Sequence, residues 1–312
     1  MGKVTNYVRF PGGVTAEIGE WEFATAATSV EVPTKMPTLV STILMPESYS
    51  GTAVAGGEVM FCDRAITSGQ VTVARKVAVD SALKFSYLFL GTYGSKGGSG
   101  DTIATNKNAT YVPFGSKHTL QFGSWAFTTG DATVAVPSRL QTILTGLATP
   151  TSYTGSAANG GQVMYSTGAI SSGQVTFGRK VAVDSAGAFS YAILGTYGSV
   201  GANPGETTSA NFGIADLNIQ NLLFEFGEAS FTTTGTTKTV PARPITLIAS
   251  LALPATYTAA AASGGHVMFC SKAISSGQTT FARRASVDSG LKFSFLNIGT
   301  YGSVGGGGTV TA

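Results

Sequence analysis

SGQVTVARKVAVDSALKFSYLFLGTYGS (68–95) returns as SGQVTFGRKVAVDSAGAFSYAILGTYGS (172–199) and again as SGQTTFARRASVDSGLKFSFLNIGTYGS (276–303). The spacing between copies is 104 residues each time, without insertion or deletion. Within a copy, apolar residues alternate with polar ones, turn residues sit between the runs, and no run keeps a helical period over three turns. This pattern predicts β-strands, with Val71–Val79 and Leu83–Leu90 pairing as a hairpin across Asp80-Ser81-Ala82.

The register extends outward from this stretch. Gly19, Gly123 and Gly227 stand in the same column, as do Phe23, Phe127 and Phe231, and Pro33, Pro137 and Pro241. Tyr7 and Phe10 recur as Tyr111 and Phe114, whereas the third copy diverges there, at Ile214–Asn218. Further strands are expected at Val14–Phe23, Thr38–Leu44 and Glu58–Cys62. The second of these is almost wholly apolar and is expected to be central in its sheet. Gly/Thr/Asn-rich stretches at 97–108 and 201–213 have linker composition. The expectation is an all-β chain of three tandem antiparallel β-sandwich units of about 104 residues, bounded at 1–104, 105–208 and 209–312.

Composition narrows the function. Charged residues are 11% of the chain, against roughly 25% in an ordinary soluble protein, so much of the surface is expected to meet other protein or to rely on Ser and Thr hydroxyls. The net charge of +3 is spread along the chain with no basic run, which argues against a nucleic-acid partner. No apolar stretch reaches the roughly 18 residues of a membrane helix, and the first residues, MGKVTNYVRFPGG, carry no apolar core of a signal peptide. The expected site of synthesis is a cytoplasm, without Sec export.

Catalytic constellations are not repeated. His118 shares its column with Val14 and Leu222, and His266 with Glu58 and Gln162. Two histidines cannot furnish a multi-His zinc site or a triad in every copy. Cys62 and Cys270 are equivalent, but the middle copy has Ser166 there, and the pair reads as buried free thiols. The glycine run at 305–308 lacks the Lys-Ser/Thr of a phosphate loop and reads as a flexible tail. No enzyme activity, cofactor or metal is expected.

The most informative polar residue is an arginine on an otherwise apolar strand face: Arg75, Arg179 and Arg283. Buried unpaired it would be very costly, so it is expected to meet a carboxylate, backbone carbonyls or solvent at a seam. A ligand contact, with the planar fork on a carboxylate or sugar hydroxyls, is the alternative. Asp80, Asp184 and Asp288 read as turn formers. Tyr49, Tyr153 and Tyr257 follow a proline in a loop, and Tyr93, Tyr197 and Tyr301 follow the closing strand; both sets could lid a core, fill an interface pocket or stack on sugars.

The sequence V-T-F-x-R followed by F-S-Y-x-x-x-G, with an opening G-x-W/A-x-F strand, resembles the six-stranded sandwich of H-type lectins. Those lectins assemble as trimers, so the resemblance implies that three tandem copies make a single-chain pseudo-trimer. It also implies cell-surface glycans as partners, although Tyr87–Gly91, Tyr191–Gly195 and Phe295–Gly299 lack the Trp/His ligand set of that family. In texture the chain resembles bacteriophage head decoration, fibre and tail accessory proteins, which are rich in Gly, Ala, Ser and Thr and poor in Cys, His and charge. That resemblance implies a structural virion protein, with other virion proteins or copies of itself as partners and the virion as its location.

Overall fold

The computed structural model describes residues 5–10, 13–47, 60–75, 82–92, 100–104, 107–114, 118–151, 164–179, 187–196, 214–219, 222–255, 268–283 and 291–300. These residues are all-β. The first unit contains β1 (Thr5–Arg9), β2 (Val14–Phe23), β3 (Ser29–Pro33), β4 (Thr38–Pro46), β5 (Met60–Thr67), β6 (Gln70–Arg75) and β7 (Leu83–Thr92). β8 (Gly100–Ala104) follows, and the second unit continues with β9 (Lys107–Phe114), β10 (His118–Ala126), β11 (Thr133–Pro137), β12 (Thr142–Pro150), β13 (Met164–Ser171), β14 (Gln174–Arg179) and β15 (Ala188–Thr196). The third has β16 (Ile214–Ile219), β17 (Leu222–Ser230), β18 (Thr237–Pro241), β19 (Thr246–Pro254), β20 (Met268–Ser275), β21 (Gln278–Arg283) and β22 (Lys292–Thr300).

Each unit holds two antiparallel sheets. In the first, the orders are β1-β2-β7-β4 and β3-β6-β5; the third repeats them, and the second adds β8 beyond β9. The two sheets of the first unit enclose a core in which Phe23, Val32, Met60, Val71, Phe85 and Tyr87 are buried.

Two pairings differ from the sequence reading. β6 and β7 do not form a hairpin: β6 lies between β3 and β5, and β7 between β2 and β4. The tight turn comes earlier, at Ser68-Gly69, where Thr67 faces Gln70 and both turn residues have positive φ (52° and 72°). That is the geometry of a two-residue primed turn, and it recurs at Ser172-Gly173 and Ser276-Gly277. Residues 76–81, 180–186 and 284–290, which include Asp80, Asp184 and Asp288, lie outside the described residues. β4 is not central either; it is an edge strand. Its apolar character has another cause, contact with neighbouring units.

That contact also explains β7. Tyr87 and Phe89 point into the sandwich core, while Leu88 and Leu90 point out of it and are buried just as deeply. The outward faces of the larger sheets, four-stranded in the first and third units and five-stranded in the second, meet one another. β4 packs on β15, β12 on β22, and β19 on β7, so the units contact in the cyclic order first to second, second to third, third to first. Val8, Val14, Ile18 and Ile43 of the first unit, Leu147 and Leu194 of the second, and Leu251 and Ile298 of the third join one continuous buried cluster. The cores are therefore not three separate ones. The cluster runs from the first unit's outward face through the sandwiches of the second and third.

Side-chain volume is balanced across units near the axis. Phe10 and Phe114 occupy equivalent positions and their rings approach to 5.7 Å. The third unit has Asn218 in that column but replaces Ala16 and Leu120 with Phe224, whose ring lies 5.1 Å from Phe114. A small cavity of about 20 Å³ remains among these rings, lined by Leu90, Leu194 and Leu296 as well. The third lead-in strand also keeps its role despite its divergent sequence. β16 pairs with β17, with Asp216 opposite Glu225, whereas Tyr7 faces Glu17 and Tyr111 faces Gln121. That is a register one residue off, and a one-residue slip exchanges the faces of a strand, so its pattern has to change.

The closing glycines are sterically required. A Cβ on Gly91, Gly195 or Gly299 would stand 2.1, 2.1 or 2.2 Å from the carbonyl oxygen of Thr38, Thr142 or Thr246.

Separating one unit exposes the outward sheet face. With large apolar side chains contributing about 2 kcal/mol each, exposing five or six of them costs on the order of 10 kcal/mol, as much as the whole net stability of a domain. Residues 97–208 produced alone are therefore expected to trimerise or precipitate. Light scattering during size-exclusion chromatography that finds a stable, soluble monomer would contradict this packing.

Candidate functional site

Arg75, Arg179 and Arg283 lie on the buried face of their strands, each 2% exposed. They meet backbone carbonyls. Arg75 Nε donates to Ala27 O at 2.7 Å and Nη2 to Ala24 O at 3.3 Å; Arg179 repeats this with Asp131 O and Thr128 O, and Arg283 with Gly235 O and Thr232 O. The backbone nitrogens of the same arginines donate to Thr28, Ala132 and Thr236. Each guanidinium also stacks on a phenylalanine: Phe23 at 4.8 Å, Phe127 at 4.6 Å and Phe231 at 4.9 Å. The arginine thus ties the connection leaving the opening strand to the three-stranded sheet, using donors that a ligand contact would otherwise need.

The opening strand holds a second repeated feature that residue-type counting passes over. Glu17, Gln121 and Glu225 are equivalent and fully buried. Thr34 donates to Glu17 Oε2 at 2.7 Å and Tyr87 OH to Oε1 at 3.4 Å. In the second unit Gln121 Nε2 donates to Pro137 O at 2.8 Å, and Ser138 donates to Gln121 Oε1 at 2.7 Å. In the third, Arg243 N and Asn297 Nδ2 donate to Glu225. Burial holds the Glu17 carboxyl above its ordinary 4.5, and the hydrogen bonds from Thr34, the Lys35 backbone, Tyr87 and Tyr7 offset this only in part. A long polar side chain in the inward column of the opening strand was the signal for this site, but the glutamine in the middle unit removes it from a tally of retained acids.

The seams between units are chemically unequal. At the first, Ser41 Oγ donates to Tyr191 O at 2.8 Å and Leu44 N to Thr149 Oγ1 at 3.0 Å. At the second, Thr145, the counterpart of Ser41, donates to Phe295 O at 3.2 Å. The third seam has Ala249 in that column and uses an ion pair instead: Lys272 bonds Glu20 and lies 2.7 Å from Glu47. Burial raises the Glu47 carboxyl, and Lys272 offsets part of the rise. For Glu20, burial also raises the pKa, but Lys272 and Lys84 together outweigh it and the net shift is downward. Lys272 has φ of 62° and its first-unit counterpart Arg64 has 69°. Both lie at strand irregularities, of the kind that re-aim a side chain, and both donate to a carbonyl of the preceding strand, Ile248 or Val40. The second unit has Gly168 at this position.

Other expected site residues fall elsewhere. Tyr49, Tyr153, Tyr257, Tyr93, Tyr197, Tyr301, His266 and the glycines at 305–308 lie outside the described residues. His118 packs edge-on to Phe226 at 5.4 Å. Cys62 and Cys270 are buried free thiols. Burial pushes the Cys62 thiol up to about 11, which is opposite to the activation of a nucleophile. Among the described residues no group of three or more His, Cys, Asp or Glu is placed to hold a metal ion.

Replacing Arg179 with methionine removes charged hydrogen bonds and leaves carbonyls unpaired, so Arg179→Met is expected to lower stability by about 3 kcal/mol in denaturant titration. A change below about 0.5 kcal/mol would mean the arginine does not hold the connection. For Glu17, a folded pKa above the unfolded one contributes stability that is complete below the unfolded value and fades as pH rises through the folded value. The melting temperature of the parent chain relative to Glu17→Gln is therefore expected to fall as pH rises from about 4.5. A difference that grows in favour of the parent chain over that range would refute the shift.

No protein-family model matches this chain, and no curated protein matches it.

Proposed function

We propose that this chain is a non-enzymatic structural protein of a bacteriophage virion, decorating or completing the capsid or tail through protein–protein contacts. The observation that carries the reading is the cyclic packing of the three units' larger sheets, which gives one polypeptide the outline of a threefold body. Such a body fits a particle position of threefold or sixfold symmetry, where closed symmetry organises the contacts. The seam chemistry agrees with a scaffold role. Hydroxyls, a backbone amide and one ion-pair cluster join the units, and the most prominent buried cation in each unit is engaged by backbone. With its donors directed to carbonyls and its plane on a phenylalanine, the arginine gives no support to the glycan-binding alternative.

Particles purified from lysates in which the chain is made provide the test. The chain is expected to co-purify in a fixed ratio to the major capsid or tail protein, and to occupy a threefold or sixfold position in a map of the particle. Its absence from purified particles, or specific glycan-array binding without particle association, would overturn the proposal.

A further inference from the structure

Two columns of the repeat that face the shared apolar axis each carry one small residue. The column of Leu88 and Leu296 holds Ala192 in the second unit, and the column of Leu120 and Phe224 holds Ala16 in the first. The alanines belong to different units and different strands, Ala16 to β2 and Ala192 to β15, and both are buried. They nevertheless line the same space, the small cavity near the axis. All six members of the two columns line it, two from each unit. Leucine stands in both columns elsewhere in the chain, so the void comes from side-chain choice and not from the path of the backbone.

The walls offer nothing for a polar ligand to bond. Thr145 carries the one side-chain hydroxyl among the lining residues, and it is engaged, donating to Phe295 O at 3.2 Å. Leucine side chains and the rings of Phe10, Phe114 and Phe224 form most of the remaining wall. About 20 Å³ is open to the centre of a water-sized sphere, and one water needs about 10–15 Å³. A water therefore fits by size but finds none of the polar partners it requires, and apolar cavities of this kind stay dry and take up xenon or benzene. An apolar group placed there regains the dispersion contacts that the lining loses against an empty space. Because the sphere's own radius adds on every side, the space suits one compact group.

We propose that this cavity is a binding site for one compact apolar molecule, a xenon atom or a short hydrocarbon, and that its occupant favours the closed arrangement of the three units. Ala16 and Leu88 of the first unit, Leu120 and Ala192 of the second, and Phe224 and Leu296 of the third all face the occupant. A molecule held there touches all three units at once only while the cycle is closed. A ligand that binds one form and not another stabilises the form it binds by mass action. The site lies inside the chain's own junction, so the inference holds whether or not the chain belongs to a particle.

Xenon under pressure, with the full chain in solution, is the probe, and methyl NMR is the readout. In the parent chain the methyl signals of Ala16, Leu88, Ala192 and Leu194 are expected to shift along saturable curves. At about tenfold excess over the dissociation constant, the melting midpoint is expected to rise by about 2 °C. Ala192→Leu restores the residue that stands in the first and third units. It is expected to keep a cooperative melting transition and to weaken xenon binding by about tenfold or more, because the added side chain takes the space. Ala16→Leu, which restores the second unit's residue, gives a second, independent filling. Absent or non-saturating shifts in the parent chain would overturn the proposal, as would undiminished binding by a folded filling variant. Saturable binding with no rise in the melting midpoint would overturn the link to closure.

Discussion

The larger sheet of each unit carries apolar side chains on both faces, and a two-sheet sandwich covers only one of them. Along β7, Tyr87 and Phe89 fill the sandwich while Leu88 and Leu90 need a second partner. Sheets buried on both faces read as near-continuous apolar runs, and the FSYLFL of 85–90 is such a run. Three copies solve the problem jointly, because each outward face is covered by the next. The small charged fraction of the chain follows in part from this, since a face turned toward an axis has no use for charge.

Repetition alone would give three identical seams, and the seams differ. Ser41 and Thr145 each donate to a carbonyl of the following unit, and the third seam places Lys272 between Glu20 and Glu47. A buried ion pair contributes less to net stability than its Coulomb energy suggests, but it distinguishes one neighbour from another. Within a single chain it marks the seam that closes the cycle. The exchange of Phe volume between the columns of Phe10 and Phe224 has the same character: each unit is fitted to a particular place.

Much of the secondary structure could be read before any coordinates. β2 falls where alternation put it, Val14–Phe23, and Val71, Val73 and Arg75 share a buried face as their spacing implied. Pairing was harder to read. Strands adjacent in sequence suggest a hairpin across Asp80-Ser81-Ala82, yet β6 and β7 belong to different sheets, and the Ser-Gly turn at 68–69, legible as a turn in the sequence, joins β5 to β6. The apolar sequence of β4 points to a sheet centre, whereas the strand lies at an edge. Its covering comes from another unit, and a single unit's sequence does not reveal which strands are buried by neighbours. The arginine's need for partners was legible from its setting, but backbone carbonyls leave no mark on a sequence. Glu17, Gln121 and Glu225 do not stand out in the sequence because the column tolerates either a carboxyl or a carboxamide so long as hydrogen bonds reach it.

The central claim is that the three units close around a shared apolar axis and do not string out as beads. Small-angle X-ray scattering of the full chain in dilute solution decides between these forms. A compact body of this length has a radius of gyration of about 20 Å. Three separately folded units in a line would exceed about 27 Å on the same scaling. A value near the first, with a compact bell-shaped Kratky profile, is what the packing predicts, and a value near the second would contradict it.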